Sequence, residues 1–538
     1  MFKRTRTPHH GSTRIQTRHT TNDPNSLPTF DVASMESHGV QALQTARRSE
    51  AYSMDVKRLP QLPNELWLSI LANGVLSSQD VQSLSLTCQQ FRYMSQPLLF
   101  SKFVISWNAQ VGEGRLRERL AVFTSDRFNW AVNTVAILHP GRLGGVQIMD
   151  MDYLSRFATP IFLCLRQFPN LKELAVDTIP IDEFFFNIIE SLTSLARLHL
   201  QSPIIGPDTV APEFYSRLRI SSLTIYDDDW DPESNGRNVT RNFQHLESVF
   251  SIRSLRELRL TGFQINLESI ISNPSQPELP YIQLLELDYR SLFVTPSSTP
   301  AKLFKFFARF SGVEILEVSN IADFEEHVPF EGVPNTIFPK LKSVKGAPNL
   351  VIFFCYGRDH IRAVEVDGGI RGFKHAADFV ILLSRFCANL EAFTLSINIA
   401  PPVEDEYNLG RLLFHILHSF PRLRYCHLGY FSCQTLPMMS RDIRLAELSI
   451  HPNLEILLIT PHKLADNEVE KFTDVSNIYP LLIDRMGQLL PSLKRFVMCG
   501  NPRSHCVITW PNKRNLPVTA ETYPLPWYQS YTNAIEFL

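Results

Sequence analysis

At 538 residues, with 44% hydrophobic residues, 20% charged residues and a formal net charge of −2, the chain has material for a sizeable core and no basic excess. Binding driven by phosphate neutralisation needs such an excess, so nucleic acid and anionic membrane are set aside as partners. No apolar run reaches the roughly 18 residues of a bilayer span, the first twenty residues hold no apolar signal core, and the eight cysteines, none in a Cys-x-x-Cys pair, read as reduced thiols, so the expected location is cytoplasmic, nuclear or both.

Residues 1–57 are rich in Thr, Ser, His and Arg and poor in large apolar side chains, which predicts a disordered tail. Its cationic start (Lys3, Arg4, Arg6, Arg14, Arg18) lacks the apolar face of a mitochondrial presequence and is read as solvated. From residue 58 the character changes. Pro63 opens an amphipathic helix, a polar break follows, and a second helix carries Leu84, Leu86, Cys88 and Phe91 on its apolar side. So many apolar positions in so short a stretch call for a partner surface.

The string Leu62-Pro63-x-Glu65-Leu66, Ile70-Leu71, Asp80-Val81, Leu84-x-Leu86, Cys88, Phe91 and Leu98-Leu99-Phe100 resembles the F-box. That helical module docks onto the Skp adaptor of cullin-RING ubiquitin ligases. The resemblance covers residues 58–105 and implies that Leu62, Pro63, Glu65, Leu66, Ile70, Leu71, Val81, Leu84, Leu86, Cys88 and Phe91 divide between the module's own core and the adaptor surface.

Beyond residue 106 a six-residue pattern recurs: aliphatic, two others, aliphatic, one other, aliphatic. It runs Leu171-x-x-Leu174-x-Val176 and returns from Leu195, Ile220, Leu255, Ile282, Val313, Ile361, Leu390, Leu423, Leu454 and Leu493. Fainter copies begin at Phe100 and Val132, and one at Leu341 breaks at Gly346. Copies lie about 20 to 40 residues apart, the range of leucine-rich repeats. Helical periodicity fills the intervals at 182–192, 301–310, 376–387, 408–420 and 481–490, several closed by a Pro just before the next copy. The expected fold is α/β: a short helical module followed by a leucine-rich-repeat solenoid over 106–505, parallel strands on its concave face and helices on its convex face, with 506–538 as a cap. The Asn or Cys that a regular repeat carries three residues past the last aliphatic is found only as Asn398 and Asn501. The array is therefore similar to the irregular leucine-rich repeats found behind F-boxes, above all in fungal F-box families.

Residues between and just after the inward aliphatics are expected to face the concave side. Tyr226, Arg259, Glu286, Asp288, Glu317, Glu365, Asp367, Tyr425 and His427 are the candidate substrate-binding set, and their acidic bias predicts a basic or mixed apolar protein segment as ligand. Gly-x-Gly-x-x-Gly, phosphate-loop Lys, Gly-x-Ser-x-Gly and His-Glu-x-x-His are all missing, so no catalytic residue and no cofactor is expected. Asp227, Asp228, Asp229 and Asp231 fail as a calcium loop because Pro232 stands where the turn needs Gly. Cys426, His427 and Cys433, and Cys499, His505 and Cys506, lack the paired spacing of a zinc site, so no metal is expected. The functional reading is a substrate-recognition subunit of a Skp-cullin-F-box ligase, joined through the adaptor to the cullin and holding an unidentified protein substrate. The alternative is a repeat scaffold that binds the adaptor without promoting ubiquitination.

Overall fold

Each copy of the pattern places two aliphatic residues two positions apart, which in an extended chain puts both on one face. A single such strand cannot bury that face, and stacking the copies does. The structure of the protein, a computed structural model, describes residues 63–72, 76, 78–106, 113–138, 151–177, 180–202, 204–205, 212–226, 249–261, 278–288, 300–319, 333–398, 409–431, 451, 453–461, 490–501, 504–509 and 519–523. The expectations for the 1–57 tail, Leu62, the aspartates at 227–231, Cys433 and the helix at 481–489 lie outside the described residues.

Contacts divide the chain into two units, Met1–Ile70 and Leu71–Leu538. In the first, Pro63 precedes helix α1 (Asn64–Ala72), which runs across the division, and its carbonyl accepts from the backbone N–H groups of Leu66 and Trp67. The second begins with α2 (Ser78–Thr87) and α3 (Gln89–Leu99), which pack on each other. Then come β1 (Lys102–Ser106), α4 (Glu113–Phe123), β2 (Thr134–Leu138), α5 (Met151–Leu165), β3 (Glu173–Asp177), β4 (Pro180–Ile181), α6 (Glu183–Ser191), β5 (Arg197–Gln201), β6 (Ile204–Ile205), α7 (Pro212–Arg217), β7 (Ser222–Tyr226), β8 (Glu257–Thr261) and β9 (Leu284–Asp288). The series continues with α8 (Pro300–Phe307), β10 (Ile315–Ser319), β11 (Ser343–Gly346), α9 (Pro348–Cys355), β12 (Ala363–Arg371), α10 (Gly372–Ser384), β13 (Ala392–Asn398), α11 (Leu409–Ser419), β14 (Tyr425–Phe431), β15 (Ile456–Pro461), β16 (Arg495–Asn501), β17 (Ser504–Thr509) and β18 (Thr519–Tyr523).

Sixteen of these strands form one sheet, in chain order apart from β4 and β6, which pair with each other. From β1 to β16 every neighbour is parallel; β17 and β18 then turn back antiparallel. The fourth residue of the pattern is in register throughout: Leu174 beside Leu198, Leu223, Leu258 and Leu285, and farther on Leu316 beside Val344, Val364, Phe393, Cys426, Leu457 and Phe496. All of these are buried, each contributing roughly 1.5 to 3 kcal/mol of transfer free energy for a fully buried aliphatic or aromatic side chain. Against this face the helices set phenylalanines edge to face, among them Phe162 on Phe185, Phe306 on Phe310 and Phe307 on Phe354.

The copy at Leu341 does not break. Val344 and Gly346 both point inward in β11, and a Cβ on Gly346 would lie 3.2 Å from the Val318 carbonyl oxygen and 3.8 Å from the Leu350 side chain. The tight neighbour is the carbonyl of the preceding strand, while the distance to Leu350 on α9 is an ordinary van der Waals contact. Arg358, just past α9, is buried; its Nη2 donates to the Pro334 and Ile337 carbonyls at 2.9 and 2.6 Å, and burial pushes the guanidinium down to about 10.

A polar joint ties successive copies together. The side chain directly before the first aliphatic of a copy donates to the carbonyl two residues before the first aliphatic of the preceding copy. Asn170 reaches Trp130 at 2.7 Å, Ser194 Pro169 at 2.8 Å, Asn389 Asp359 at 3.4 Å and Asn453 Pro421 at 2.8 Å. Ser254 donates to Leu218 at 3.3 Å and to Ile220 at 2.8 Å. Each bond contributes about 1 kcal/mol and satisfies a carbonyl that no ladder partner takes. In the copy at Val313 the equivalent residue is Gly312, and a Cβ there would sit 2.0 Å from the Pro280 carbonyl oxygen.

His451 makes a related joint. Its Nδ1 accepts from the Leu454 N–H at 3.2 Å, which leaves the proton on Nε2 to be donated to the Phe420 carbonyl at 3.1 Å. Burial lowers its pKa below the usual value, the Phe420 carbonyl partly offsetting that; burial likewise lowers His199. A base with a depressed folded pKa contributes stability at high pH that is lost as pH falls below the unfolded value of about 6.5. The melting temperature is therefore expected to fall between about pH 7.5 and pH 5.5. His451→Gln should remove its share of that fall, leaving the share of His199; an unchanged pH slope would show that the joint does not titrate.

Candidate partner-binding surfaces

Two surfaces carry the candidate residues. In the helical segment, residues of one chemical type split by exposure. Leu71 and Val81 are buried, and Leu84 and Phe91 are half-buried. Leu66, Ile70 and Leu86 are exposed, Leu86 by 65%, together with Leu68 and Tyr93, which the sequence reading did not single out. Pro63 and Cys88 are exposed, and Glu65 lies in α1 with its side chain outside the described residues. Cys88 separates the two packed helices: its extended backbone (φ −154°, ψ 165°) makes it the N-cap of α3, with its Sγ accepting from the Phe91 N–H at 3.5 Å. Thr87, immediately before it, turns its hydroxyl back onto the Leu84 carbonyl at 2.7 Å. Among the described residues twelve large hydrophobic side chains are exposed, and five of them fall in α1–α3. Scattered exposed Leu is ordinary; here three of the five lie on α1 in the first unit and two on α2 and α3 in the second, and each group is a candidate contact surface by itself.

The second surface is the outer face of the sheet, opposite the helices. Register brings Arg259, Glu286, Glu317, Lys345 and Glu365 into one row across β8–β12. Arg259 donates to Glu286 at 2.8 Å and approaches Glu317 at 3.8 Å, while Lys345 meets Glu365 at 2.8 Å. Burial, then the neighbouring Glu286, raises the Glu317 carboxyl above its usual range against the pull of Arg259 and Lys345. Burial opposes the Lys345 charge, yet Glu365, Glu317 and Asp367 hold its ammonium above its ordinary range. Asp367 and Tyr226 are exposed, and Asp288 ends β9 with its side chain outside the described residues. His427 continues that row beside Thr394, and Tyr425 lies in the row through Ala392 and Ala363, but both are buried, 6% and 9% exposed. The sequence reading missed Lys345 because it sits in the copy at Leu341, where the pattern was read as broken.

A further charge ladder marks the starts of the strands: Lys342 with Glu314 at 2.7 Å, Arg362 with Glu391 at 3.7 Å, and both Arg424 and Lys494 with Glu455 at 2.8 and 2.6 Å. Hydrogen bonds from Lys494 and Arg424 hold the Glu455 carboxyl below its usual range. Such exposed pairs contribute about 0 to 1 kcal/mol each and set local charge more than stability. Among the described residues no group of three His, Cys, Asp or Glu side chains is placed to hold a metal ion. Cys426 is a buried inward strand residue.

No family model matches the chain, and no curated protein matches its sequence. Among solved structures it is similar to a chain of the Rad7 and Elc1 complex of yeast, at 13% identity over 82% of this chain and 96% of that one, with a TM-score of 0.31. It is also similar to a chain of the TLR13–ssRNA13 complex, at 11% identity over 66% of this chain and 48% of that one, with a TM-score of 0.29. The repeating strand register, the inward aliphatic pair and the helices behind it make the array a leucine-rich-repeat solenoid of the α/β class.

Proposed function

We propose that this protein is the substrate-recognition subunit of a Skp-cullin-F-box ubiquitin ligase, acting in the cytoplasm, the nucleus or both. Residues 58–105 serve as the docking module, 106–505 as the substrate-holding array and 506–538 as its cap. The observation that carries this reading is the set of exposed apolar side chains on α1–α3, set in the residue order of an F-box. Docking is a helix-in-groove contact: a few buried leucines at roughly 1.5 to 3 kcal/mol each supply the gross driving force, before ordering costs. The chain itself performs no bond chemistry. It raises the effective concentration of substrate lysines at the charged conjugating enzyme by tethering. Purification of the tagged full chain from its own cells tests this: adaptor and cullin together support a ligase receptor, adaptor without cullin supports the scaffold reading, and the absence of both overturns the proposal.

A further inference from the structure

One row of the sheet's outer face differs from the others. It is formed by the residue directly before the fourth position of each copy, and across β2, β3, β5, β7 and β8 it is polar: Thr134, Glu173, Arg197, Ser222 and Glu257 lie in register. From β9 to β15 the same row carries no charge. Leu284 and Ile315 come first, the small Ser343, Ala363 and Ala392 follow, and Tyr425 and Ile456 end the run. Leu284, Ile315, Ala363 and Ile456 are half-buried, while Ser343 and Ala392 are buried. Large residues at both ends with three small ones between them make a shallow trough, bounded by Glu257 beside Leu284 and by Arg495 beside Ile456.

From β9 to β15 the trough spans six strand intervals, roughly 29 Å at about 4.8 Å each. Each of those strands is hydrogen-bonded to a neighbour on both sides, so the floor offers a crossing chain no backbone partner. A segment lying along it has to satisfy its own backbone, which a helix does and an extended peptide does not. The periods agree: a helix returns a side chain to one side about every 5.4 Å and an extended chain about every 6.7 Å, against about 4.8 Å in the trough. Charge then fixes the flank. The next outward row holds Glu286, Glu317 and Glu365. Glu286 and Glu365 each hold a cation at 2.8 Å, whereas Glu317 shares Arg259 with Glu286, at 3.8 Å, and Asp367 is exposed one row farther out. We propose that the trough holds an amphipathic helix of a protein substrate, apolar along one stripe and bearing Lys or Arg on the flank that meets Glu317. Resting on the receptor reading above, this gives the substrate segment both a conformation and a chemistry.

The test uses the full chain and a fluorescein-labelled peptide of about nineteen residues, the number whose helix covers the trough, with Leu at helical spacing and Lys along one flank, read by anisotropy. One control peptide has the same composition with Leu at alternate positions, and a second has Glu for Lys. The helical Lys peptide should bind at least about ten-fold more tightly than either. The triple variant Leu284→Gln, Ile315→Gln, Ile456→Gln should weaken binding by about ten-fold or more. The single change Ala363→Lys, which sets a charge in the floor without removing a packed side chain, should do the same. Leu163→Gln, Ile381→Gln, Leu382→Gln, an equal apolar loss at exposed positions of α5 and α10, should leave binding intact. Equal losses in both triples, no loss in Ala363→Lys, or a control peptide that binds as tightly would overturn the proposal. So would self-association of the chain, seen by light scattering, that the trough triple abolishes, since the trough would then belong to a second copy. Co-purification of the adaptor with the trough variants is read in parallel: adaptor retained without peptide binding counts against the trough alone, and adaptor missing from the wild type counts against the docking module.

Discussion

Leu86→Asp is expected to weaken the proposed adaptor docking by roughly 30-fold while leaving the fold in place. The side chain is 65% exposed, so folding gains little from it and its loss should move stability by no more than about 0.5 kcal/mol. In a complex the same leucine would be desolvated, and a carboxylate in its place would have to be buried without a partner, a loss of about 2 kcal/mol or more and hence roughly 30-fold in affinity. Leu66→Asp, on α1, should behave alike. Titration of recombinant adaptor against wild type and variant, with melting curves for both, measures the two quantities separately. Affinity kept within about two-fold would remove Leu86 from the contact. The matching change at Leu71 or Val81 is uninformative, because both are buried and an aspartate there costs the helices their own packing.

Gly312→Ala is expected to be the most destabilising single methyl addition among the described glycines. Its Cβ would lie 2.0 Å from the Pro280 carbonyl oxygen and 2.7 Å from the carbonyl carbon, and both are backbone atoms of the preceding copy. No rotamer relieves such a contact, so two stacked copies must separate, at about 3 kcal/mol or more. Gly114→Ala is the control: nothing lies within 4 Å of its Cβ, and removing a glycine from α4 should stabilise by up to about 1 kcal/mol. Because each repeat touches only its neighbours, the damage should be local. Hydrogen exchange should rise in β9 and β10 before it rises in β1 or β16; uniform change along the sheet would show that the close approach does not act at that joint.

The strands were legible because an inward pair at a fixed offset repeats, and all fourteen copies, the fainter ones at Phe100 and Val132 included, became parallel strands. Helices α6, α8, α10 and α11 fall within a few residues of their predicted spans. α9 was not legible, since the copy before it ends in Gly346 where an aliphatic was sought. The β17–β18 pair left no trace either, as its antiparallel register follows no six-residue pattern. For the helical segment at 63–99 the residue types were readable and the exposures were not. Leu86 and Val81 share a helix and a chemistry, and only packing decides that one is bare and the other covered. On the sheet face the acids were visible one by one, but their pairing with Arg259 and Lys345 arises from register between strands 20 or more residues apart.

The donor and acceptor of each polar joint both lie within two residues of the first aliphatic of their copies. Nothing between one copy and the next takes part in that bond. Segments of any length can therefore be spliced between strands without disturbing how the coils are pinned together, which explains how so uneven a spacing coexists with so regular a sheet. It also makes those intervals the natural place for such a protein to diversify what it grips.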